Sequence, residues 1–413
     1  MRIGVDLTRF SAGYVGGVST FALGLTHGLI GSRAQSDQIV LLATPANRDD
    51  LLRRFGRDNV SVLEIEGHGL HRYAIAVLLY LGFVCGTFKL PYWYDRLFRS
   101  GVASKVEKSV DVLIAPMTTL PLPAVRVPGI LCIHDIQQEF HPEYFSLRER
   151  AARWGSYRLS CWAASAVQAS SQFVKDCLLE KFRFLPAGKI FVAPEGVDFQ
   201  TFNPGASMQQ PPDAADIEAG SFLFYPAQLW PHKNHLLLVE ALAAFRDSKG
   251  DEMPCLLTGQ DCGMLQPIMD AIGRAGLAKV RYLGKVPMAQ LLWLYANCRA
   301  VLALGLHESS SLPLREGAVF GKPLICTDIP PNQELARDLF LLTIACRSSA
   351  DLSARLDELM SSEPELLGKS MLNRSIVRRF NWEEIAKQYI AVAGELHAGA
   401  KHESKAAVAA RLV

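Results

Sequence analysis

Twelve short apolar runs alternate with helix-length segments along almost the whole chain of 413 residues. The runs lie at 3–7, 38–43, 60–65, 112–115, 129–133, 166–169, 190–193, 222–225, 255–258, 280–283, 300–304 and 323–327. They are apolar throughout rather than at every second position, which is typical of strands buried on both faces of a parallel sheet. Because parallel strands need helical crossovers, the alternation predicts an α/β protein with doubly wound sheets.

The stretch 202–220 divides this pattern into two halves. It is rich in Pro, Gly, Asp and Ala and has no apolar periodicity, so it reads as a linker before a new first strand at Phe222. A chain of this length also exceeds one ordinary hydrophobic core. We therefore predict an N-terminal domain at 1–205, a C-terminal domain at 219–377 and a final amphipathic helix within 378–397.

Composition favours a cytoplasmic protein with reduced thiols over a secreted or nucleic-acid-binding protein. The formal net charge is only +2, so no general attraction to nucleic acid is expected. Nine cysteines occur without a Cys-x-x-Cys pair, and several lie in apolar runs, as Cys85, Cys132, Cys161 and Cys326 do. This pattern indicates buried free thiols. The first residues resemble a strand rather than a secretion signal.

The segment 73–108 allows more than one interpretation. Residues 73–88 are uncharged, but they fall short of the roughly 20 residues that span a membrane. A buried core helix, a helix lying on a membrane surface and a true span all remain open. Basic and aromatic side chains follow, which suits either a lipid headgroup region or a solvated neighbour of a core helix. These are Lys89, Arg96, Arg99, Lys105 and Lys108 with Tyr92, Trp93 and Tyr94.

The strongest motif is the sequence HESSSLPLREG at 307–317, directly after the run 300–304. Glu308 lies in a loop at the carboxyl end of a predicted strand, and Glu316 lies about one turn into the helix that begins near Leu312. Open α/β sheets bind ligands at this edge. Each carboxylate can accept two hydroxyls, and the serines between them leave main-chain N–H groups for a diphosphate. The alternative is a capping arrangement, with Ser311 as N-cap and Glu316 on the surface.

A second motif follows the first predicted strand of the second half. Lys233 and Asn234 open a helix at the same expected sheet edge. A lysine there could neutralise phosphate charge, although a solvated helix start would have the same sequence.

Together these residues resemble the retaining family-four glycosyltransferases of GT-B architecture. The resemblance runs in order through Gly16-Gly17-Val18, His134-Asp135, Glu195-Gly-Val-Asp198, Lys233-Asn234, Gly284-Lys-Val-Pro287 and Glu308 to Glu316. It implies two Rossmann-like domains that face a cleft, the first on the acceptor side and the second binding the donor nucleotide. It also implies that the last helix crosses back onto the N-terminal domain.

The resemblance implies a role for two motifs of the first half. Gly16 and Gly17 would let the main chain approach the diphosphate, although a plain tight turn has the same Gly pair. His134 would face the donor sugar near the scissile bond, and a buried, hydrogen-bonded histidine is the alternative.

In the second half the resemblance implies a donor-binding set. Its catalytic members with His134 are Lys233, which would pair with the diphosphate, and Glu308, which would bind the transferred sugar. Glu316 would bind the ribose. Main-chain groups would serve the nucleobase at Lys285 and Val286, and the sugar and phosphate at Ser309, Ser310, Ser311 and Leu312.

The sequence departs from the family pattern at three places, and these departures affect the expected identity of the donor more than the expected fold. Gln228 takes the place of an arginine five residues before Lys233, so the diphosphate would depend more on Lys233 and on helix dipoles. Ser309-Ser310-Ser311 replaces Gly-Phe-Gly. Glu195 replaces an asparagine before Gly196.

The implied function is a retaining hexosyltransferase that uses a GDP- or UDP-linked sugar, mannose or another hexose, without a metal or a separate cofactor. The acceptor would be a glycan or a lipid-linked oligosaccharide, with an anionic membrane surface as a further partner. The sequence has no Asp-x-Asp motif and no carboxylate–histidine cluster. A sugar-nucleotide epimerase of the same fold and a catalytically silent sugar-nucleotide-binding subunit remain open as alternatives.

Overall fold

A computed structural model of the protein describes residues 1–11, 16–32, 37–65, 101–120 and 125–409, with side chains as far as residue 400. The chain divides into two compact units. Unit 1 comprises Met1–Gly196 together with the C-terminal residues from Trp382, and unit 2 comprises Val197–Asn381.

Unit 1 is built on a seven-stranded sheet whose neighbouring strands are all parallel. The strands are β1 (Arg2–Asp6), β2 (Gln38–Ala43), β3 (Val60–Glu64), β4 (Val112–Ala115), β5 (Gly129–Ile133), β6 (Ala166–Ala169) and β7 (Ile190–Val192). Their order is β3-β2-β1-β4-β5-β6-β7. The order changes direction between β1 and β4, and sheets of this kind bind ligands at such a switch point.

The described helices of unit 1 cover this sheet. They are α1 (Gly17–Ser32), α2 (Arg48–Phe55), α3 (Gly101–Ser109), α4 (Leu147–Ala163), α5 (Gln172–Lys181) and the long C-terminal α13 (Trp382–Ala409). Short 3-10 turns at Gln137–Glu139 and Pro142–Tyr144 join β5 to α4. A capping box formed by Ser146 and Glu149 starts α4.

Unit 2 has a six-stranded parallel sheet in the order β10-β9-β8-β11-β12-β13. The strands are β8 (Leu223–Pro226), β9 (Cys255–Thr258), β10 (Val280–Tyr282), β11 (Ala300–Ala303), β12 (Leu324–Thr327) and β13 (Leu342–Ile344). The helices are α6 (His235–Lys249), α7 (Leu265–Ala275), α8 (Met288–Asn297), α9 (Leu312–Val319), α10 (Pro330–Ala336), α11 (Ser349–Ser361) and α12 (Glu363–Ile376). The switch point of this sheet lies between β8 and β11.

The prediction of two doubly wound parallel sheets is confirmed. Each of the twelve predicted runs overlaps a strand, and the centre of each sheet is buried on both faces, as in β5 and β11. One further strand, β13, lies outside the predicted runs; it is a three-residue edge strand that pairs with β12.

The interpretation of 202–220 as a linker is wrong. Phe202, Ala214 and Ile217 are buried in the core of unit 2, and the ring of Phe202 meets Tyr295 edge-on at 5.8 Å. The division between the units lies at Gly196 and Val197, before the predicted boundary at 205. Apolar residues in irregular backbone can bury themselves without any periodicity, so the composition of this segment did not reveal its packing.

The C-terminal helix α13 lies along α1, within unit 1. It begins with Trp382, whose ring meets Phe21 edge-on at 5.2 Å. Gly24 and Gly28 of α1 face Trp382 so closely that a Cβ on either would overlap it. The helix is longer than the predicted 378–397, and Val377–Phe380 before it form a 3-10 turn.

The eight cysteines of the described part are free thiols, and most are buried. Burial raises the pKa of the Cys161 thiol to about 12, so this side chain stays protonated. Cys85 and the predictions for 73–100 lie outside the described residues. Among the helices that the structure describes, none has the length and apolarity needed to cross a membrane.

Candidate active site

Lys233 and Glu308 meet at the switch point of unit 2. Lys233 ends the turn Pro231–Lys233 after β8, and Glu308 lies in the loop after β11. The Nζ atom of Lys233 donates to both carboxylate oxygens of Glu308, at 2.6 and 2.8 Å. Both side chains are mostly buried, being 22% and 13% exposed. The structure therefore brings together two predicted catalytic residues, and in it they neutralise each other.

Main-chain contacts fix the two loops that carry this ion pair. The N–H of Leu306 donates to the carbonyl of His232 at 2.7 Å, which ties the β11 loop to the β8 loop. The Tyr225 hydroxyl donates to the carbonyl of Lys233. Gly305 lies directly under the Glu308 carboxylate, and a Cβ at Gly305 would overlap it. A side chain at position 305 would therefore displace the Glu308 carboxylate from this position.

His235 lies beside this site but adds no positive charge. It is buried, and neither ring nitrogen has a hydrogen-bond partner among the described residues. Burial and the nearby Lys233 ammonium lower the pKa of His235 to about 3. The imidazole is therefore neutral near pH 7, and the positive charge at this end of α6 belongs to Lys233.

A buried chain of hydrogen bonds supports the loop of Glu308 from below. The Ser311 hydroxyl donates to Oδ1 of Asn332 at 2.6 Å, and Nδ2 of Asn332 donates to the carbonyl of Thr327 at 2.9 Å. The Thr327 hydroxyl donates to the carbonyl of Gly305 at 2.6 Å. Asn332 and Thr327 are fully buried. These contacts link α10 and β12 to both ends of the loop 305–311.

The substitution Asn332→Asp tests this support. A carboxylate keeps the bond from Ser311 but faces the carbonyl of Thr327 with no hydrogen to donate. We expect the free energy of unfolding to fall by about 1–3 kcal/mol, and donor affinity to fall with it because the loop loses its support. Thermal unfolding and nucleotide titration measure the two effects.

Asn373→Asp provides the matched control. Asn373 is also fully buried, and its Nδ2 donates to the carbonyl of Phe340 at 3.0 Å, away from the loop 305–311. It should lose similar stability and keep its donor affinity. Equal donor affinity in both variants would contradict a positioning role for Asn332.

The serines of the loop differ in part from the prediction. Ser311 occupies the N-cap position of α9 without capping it, because its hydroxyl donates to Asn332. The Leu312 N–H donates to the carbonyl of Ser310 at 3.1 Å, so in this structure it is not available to a phosphate. The Ser310 hydroxyl accepts from the guanidinium of Arg315. Ser309 and Ser310 lie half-buried beside Glu308.

Glu316 lies in α9, as predicted, and is oriented by a buried tyrosine. The Tyr295 hydroxyl donates to Oε2 of Glu316. Burial and the neighbouring Glu316 carboxylate raise the pKa of Tyr295 well above its usual value, so the hydroxyl keeps its proton. Gly317 packs tightly against Val301 and Leu324, which holds α9 close to the sheet. Glu316 is therefore a fixed, half-buried carboxylate rather than a mobile surface group.

The remaining predicted residues of unit 2 lie on loops at the same edge of the sheet. Oε1 of Gln228, after β8, accepts from the indole of Trp230 at 3.0 Å. Lys285 is exposed and Val286 is half-buried, after β10. Gly284 before them adopts a φ of +67°, and its carbonyl accepts from the N–H of Gly259, after β9, at 3.0 Å. This left-handed position explains the glycine of the Gly284-Lys-Val-Pro motif.

His134 belongs to unit 1 and is buried at the end of β5. Its Nε2 lies 2.8 Å from the carbonyl of Pro116, and its Nδ1 lies 3.6 Å from Oε1 of Glu195. Phe21 meets the imidazole edge-on at 4.5 Å. The structure thus gives His134 the surroundings of the alternative interpretation, a buried and hydrogen-bonded histidine, and its catalytic role stays a prediction.

The predicted glycine pair lies at the start of α1, after β1. The carbonyl of Gly16 accepts from the N–H of Thr20 at 3.0 Å, so it forms part of the first helical turn. Among the described residues, a Cβ at Gly17 would meet no atom within 4 Å. The role of this glycine pair in diphosphate binding stays a prediction.

Sequence reasoning missed several residues that shape these sites. Tyr295, Asn332 and Thr327 are polar residues within helix or strand runs, and nothing in their spacing marks them. Glu195 did carry a signal, because it is a departure from the family pattern, and the structure places it against His134. Thr118, after β4, has a φ of +67°, which is strained for a β-branched residue and lies at the switch point of unit 1.

Within the described ranges, no three His, Cys, Asp or Glu side chains lie close enough together to hold a metal ion.

Comparison with known proteins finds a family match for unit 2. Residues 211–373 match the family of glycosyl transferases group 1, a range that covers most of unit 2 and both Lys233 and Glu308. The O-antigen chain mannosyltransferase B of Escherichia coli is 22% identical over 268 residues, which is 63% of this chain and 69% of the relative.

Solved structures share the fold across almost the whole chain. HepE of Anabaena, in complex with UDP and glucose, superposes with a TM-score of 0.67 at 18% identity, over 96% of this chain and 100% of its own. Sucrose-phosphate synthase of Thermosynechococcus elongatus gives a TM-score of 0.66 at 15% identity, over 96% and 99%. The chain therefore carries a domain of the glycosyl transferases group 1 in unit 2, and its two doubly wound parallel sheets are of GT-B type.

Proposed function

We propose that this glycosyltransferase moves a hexose from a nucleoside diphosphate sugar to a glycan, with retention of anomeric configuration and without a metal ion or separate cofactor. The observation that carries the proposal is the ion pair of Lys233 and Glu308 at the switch point of unit 2. In this proposal Lys233 is the cation for the diphosphate, and the adjacent Glu308 is the carboxylate for the sugar hydroxyls. An ammonium has three hydrogens, so Lys233 can hold Glu308 and still donate to a phosphate oxygen.

Glu316 completes the donor site in this proposal. Its carboxylate would accept the ribose hydroxyls while Tyr295 keeps it in place. Lys285 and Val286 would offer main-chain groups to the base, and Gln228 would line the diphosphate side. For His134 the proposal requires the imidazole to turn from Pro116, because both ring nitrogens face acceptors of unit 1.

The relatives support a hexose donor of two kinds. HepE structures hold UDP-glucose or UDP, whereas the Escherichia coli relative is a mannosyltransferase. We therefore propose a UDP- or GDP-linked glucose or mannose. The O-antigen chain relative supports a surface glycan as acceptor, attached to lipid or free.

A peripheral position at an anionic membrane is part of the proposal. It rests on the basic and aromatic residues of 73–108. Of these, Lys105 and Lys108 lie on the described helix α3, with Nζ of Lys105 donating to the carbonyl of Glu64 at 2.9 Å.

Both oxygens of Glu308 accept from Lys233, which argues against Glu308 as a covalent nucleophile. Front-face attack is then the better account of retention. The bond from C1 to the acceptor oxygen forms as the bond from C1 to the phosphate oxygen breaks, and the acceptor proton passes to the departing phosphate. Lys233 would stabilise the charge that develops on that phosphate.

Glu316→Ala and chelation test the donor site together. Loss of a charge-assisted hydrogen bond of about 1.5–3 kcal/mol should weaken nucleotide diphosphate binding about ten- to a hundredfold. EDTA should leave turnover unchanged, since Lys233 takes the place of a metal. Transfer from radiolabelled UDP- and GDP-hexoses measures turnover, and calorimetry measures affinity.

Tyr295→Phe should weaken nucleotide diphosphate binding less than Glu316→Ala does, because it keeps the Glu316 carboxylate and removes only the Tyr295 hydroxyl that orients it.

Abolition of turnover by EDTA would contradict the metal-free mechanism. Conversion of the donor into an epimeric nucleotide sugar without acceptor would instead identify an epimerase.

A further inference from the structure

A pocket of about 350 Å³ opens in unit 1, apart from the residues considered so far. Its walls come from the two 3-10 turns after β5 and from the first half of α4. Gln138, Glu139, Pro142, Leu147, Arg150 and Trp154 line it. Its volume falls within the range of small-molecule sites, about 300–1,000 Å³. The segment that forms it begins directly after His134, at the carboxyl edge of the sheet where ligands bind.

Gln138 lines this pocket with a buried side-chain amide that lacks hydrogen-bond partners among the described residues. It is only 4% exposed, and neither its amide nitrogen nor its amide oxygen has a hydrogen-bond partner among the described residues. A buried polar group left unpaired costs about 1–3 kcal/mol. An amide offers both donors and an acceptor, so its natural partner is a group that can accept and donate, such as a hydroxyl.

The other polar groups extend this chemistry. The Glu139 carboxylate accepts from both terminal nitrogens of Arg158, at 2.8 and 3.0 Å, which neutralises it and leaves further lone pairs for hydroxyl donors. Arg150 is exposed at the rim. The deeper groups are thus polar but balanced in charge, which suits a neutral polyhydroxyl ligand better than an anion.

The apolar groups suit the other face of the same ligand. The Trp154 indole is half-buried, with the Arg158 guanidinium 4.8 Å from the centre of its ring. Leu147 is 79% exposed, a large apolar side chain that unit 1 leaves uncovered. An aromatic body beside convergent polar groups is the usual composition of a ligand pocket. A pyranose matches it, since it has hydroxyls at its edge and C–H groups on its faces.

We propose that this pocket is a carbohydrate subsite that binds a hexose unit of the acceptor glycan. The assignment to the acceptor rests on the proposed function, whereas the binding of sugar does not. Most donor contacts are proposed for unit 2, and the three proposed in unit 1, Gly16, Gly17 and His134, do not line this pocket. Gln138 and Glu139 hold the hydroxyls, Trp154 packs against the ring, and Arg150 closes the rim.

Gln138→Leu tests the subsite, with Gln137→Leu as its matched control. Gln137 is equally buried on the same turn and also has an amide nitrogen without a partner among the described residues, but it does not line the pocket. Both variants should fold, because leucine removes a buried unpaired amide. Arg150→Ala is a second variant at an exposed position, which keeps the test independent of core packing.

Saturation-transfer NMR on the full chain, with methyl α-mannopyranoside and methyl α-glucopyranoside, measures sugar binding without any need for catalysis. We expect binding in the wild type and in Gln137→Leu. Gln138→Leu should bind about two- to tenfold more weakly, the effect of one neutral hydrogen bond. Absence of binding in the wild type, or equal binding in the two glutamine variants, would overturn the subsite. Displacement of the methyl hexosides by UDP or GDP would also overturn it, since the sugar would then occupy the donor site.

Steady-state transfer then tests the acceptor assignment, with free oligosaccharide and lipid-linked oligosaccharide as separate arms. Gln138→Leu should raise the acceptor KM in either arm and leave the donor KM and donor hydrolysis unchanged. A raised donor KM would overturn the assignment. If no nucleotide sugar is turned over while methyl hexosides still distinguish the two glutamine variants, the proposed function fails and the carbohydrate subsite stands.

Discussion

Lys233→Met is expected to lower kcat/KM for glycosyl transfer about a hundred- to a thousandfold, the usual effect of removing one preorganised group that stabilises a leaving anion. Two effects add up here. Under the proposed function the departing diphosphate loses its cation, and Glu308 loses the ammonium that donates to both of its oxygens. Steady-state kinetics with a UDP- or GDP-hexose measure the loss. Lys233→Arg should restore little of it, because a planar guanidinium cannot replace a compact ammonium between two oxygens.

The same pair can be tested without catalysis. Removing one partner of a buried ion pair lowers the free energy of unfolding by about 3–5 kcal/mol. The loss should be somewhat smaller here, because both side chains retain some exposure. A double-mutant cycle of Lys233→Met with Glu308→Gln should give a coupling energy of about 0.5–3 kcal/mol. The free energy of unfolding lost in the double variant should be smaller than the sum of the losses in the two single variants.

Lys279→Met is the matched control for both measurements. Nζ of Lys279 lies 2.7 Å from Oδ1 of Asp251, but these side chains are 45% and 80% exposed. An exposed pair of this kind contributes about 0–1 kcal/mol. Lys279→Met should therefore leave kcat/KM and stability near the wild-type values. Full activity in Lys233→Met would remove the central support for the donor site.

Trp382→Ala should lower the free energy of unfolding of unit 1 by about 3–5 kcal/mol, the cost of truncating a large buried aromatic residue. Trp382 is 5% exposed and starts the helix that packs on α1. Its indole also lies against Gly196, the last residue of unit 1 before unit 2 begins. Urea unfolding, with hydrogen exchange of α1 and α13 to identify the unit that melts, measures the effect.

Two glycines on α1 make this test specific. Gly24→Ala and Gly28→Ala should each destabilise unit 1 by about 1–3 kcal/mol through overpacking. A Cβ at Gly24 would overlap the Trp382 indole, whereas a Cβ at Gly28 would overlap the Trp382 main chain. Trp382→Ala should therefore relieve the cost of Gly24→Ala and leave that of Gly28→Ala unchanged. Equal relief in both, or in neither, would contradict the packing described.

Gly394→Ala, within α13 itself, should have the opposite effect and raise the free energy of unfolding of unit 1. A Cβ there would meet no atom within 4 Å. Alanine in a helix interior is then favoured over glycine by about 0.5–1 kcal/mol. The contrast between Gly28 and Gly394 separates close packing from helix propensity.

The sequence by itself determined the fold class and the sheet edge at which the motifs of Lys233 and Glu308 lie. Runs such as 129–133 and 300–304 are apolar throughout, because a strand covered by helices on both faces has no polar side. Parallel sheets can therefore be predicted from such uninterrupted apolar runs. Glu308 and Lys233 could be placed at one sheet edge because each follows a strand, and the carboxyl ends of parallel strands share an edge. Their order along the chain, with Glu316, was enough to indicate a family.

Only the tertiary structure decided which side chains meet. The pairing of Lys233 with Glu308 spans 75 residues, that of Glu195 with His134 spans 61, and neither follows from a local period. The burial of Phe202, Ala214 and Ile217 reversed the linker interpretation, because contacts rather than composition decide whether irregular backbone is covered. A helical or strand period reports on the neighbours of a residue within its own element. Contacts between elements that are distant in sequence depend on the tertiary packing, which no local period reports.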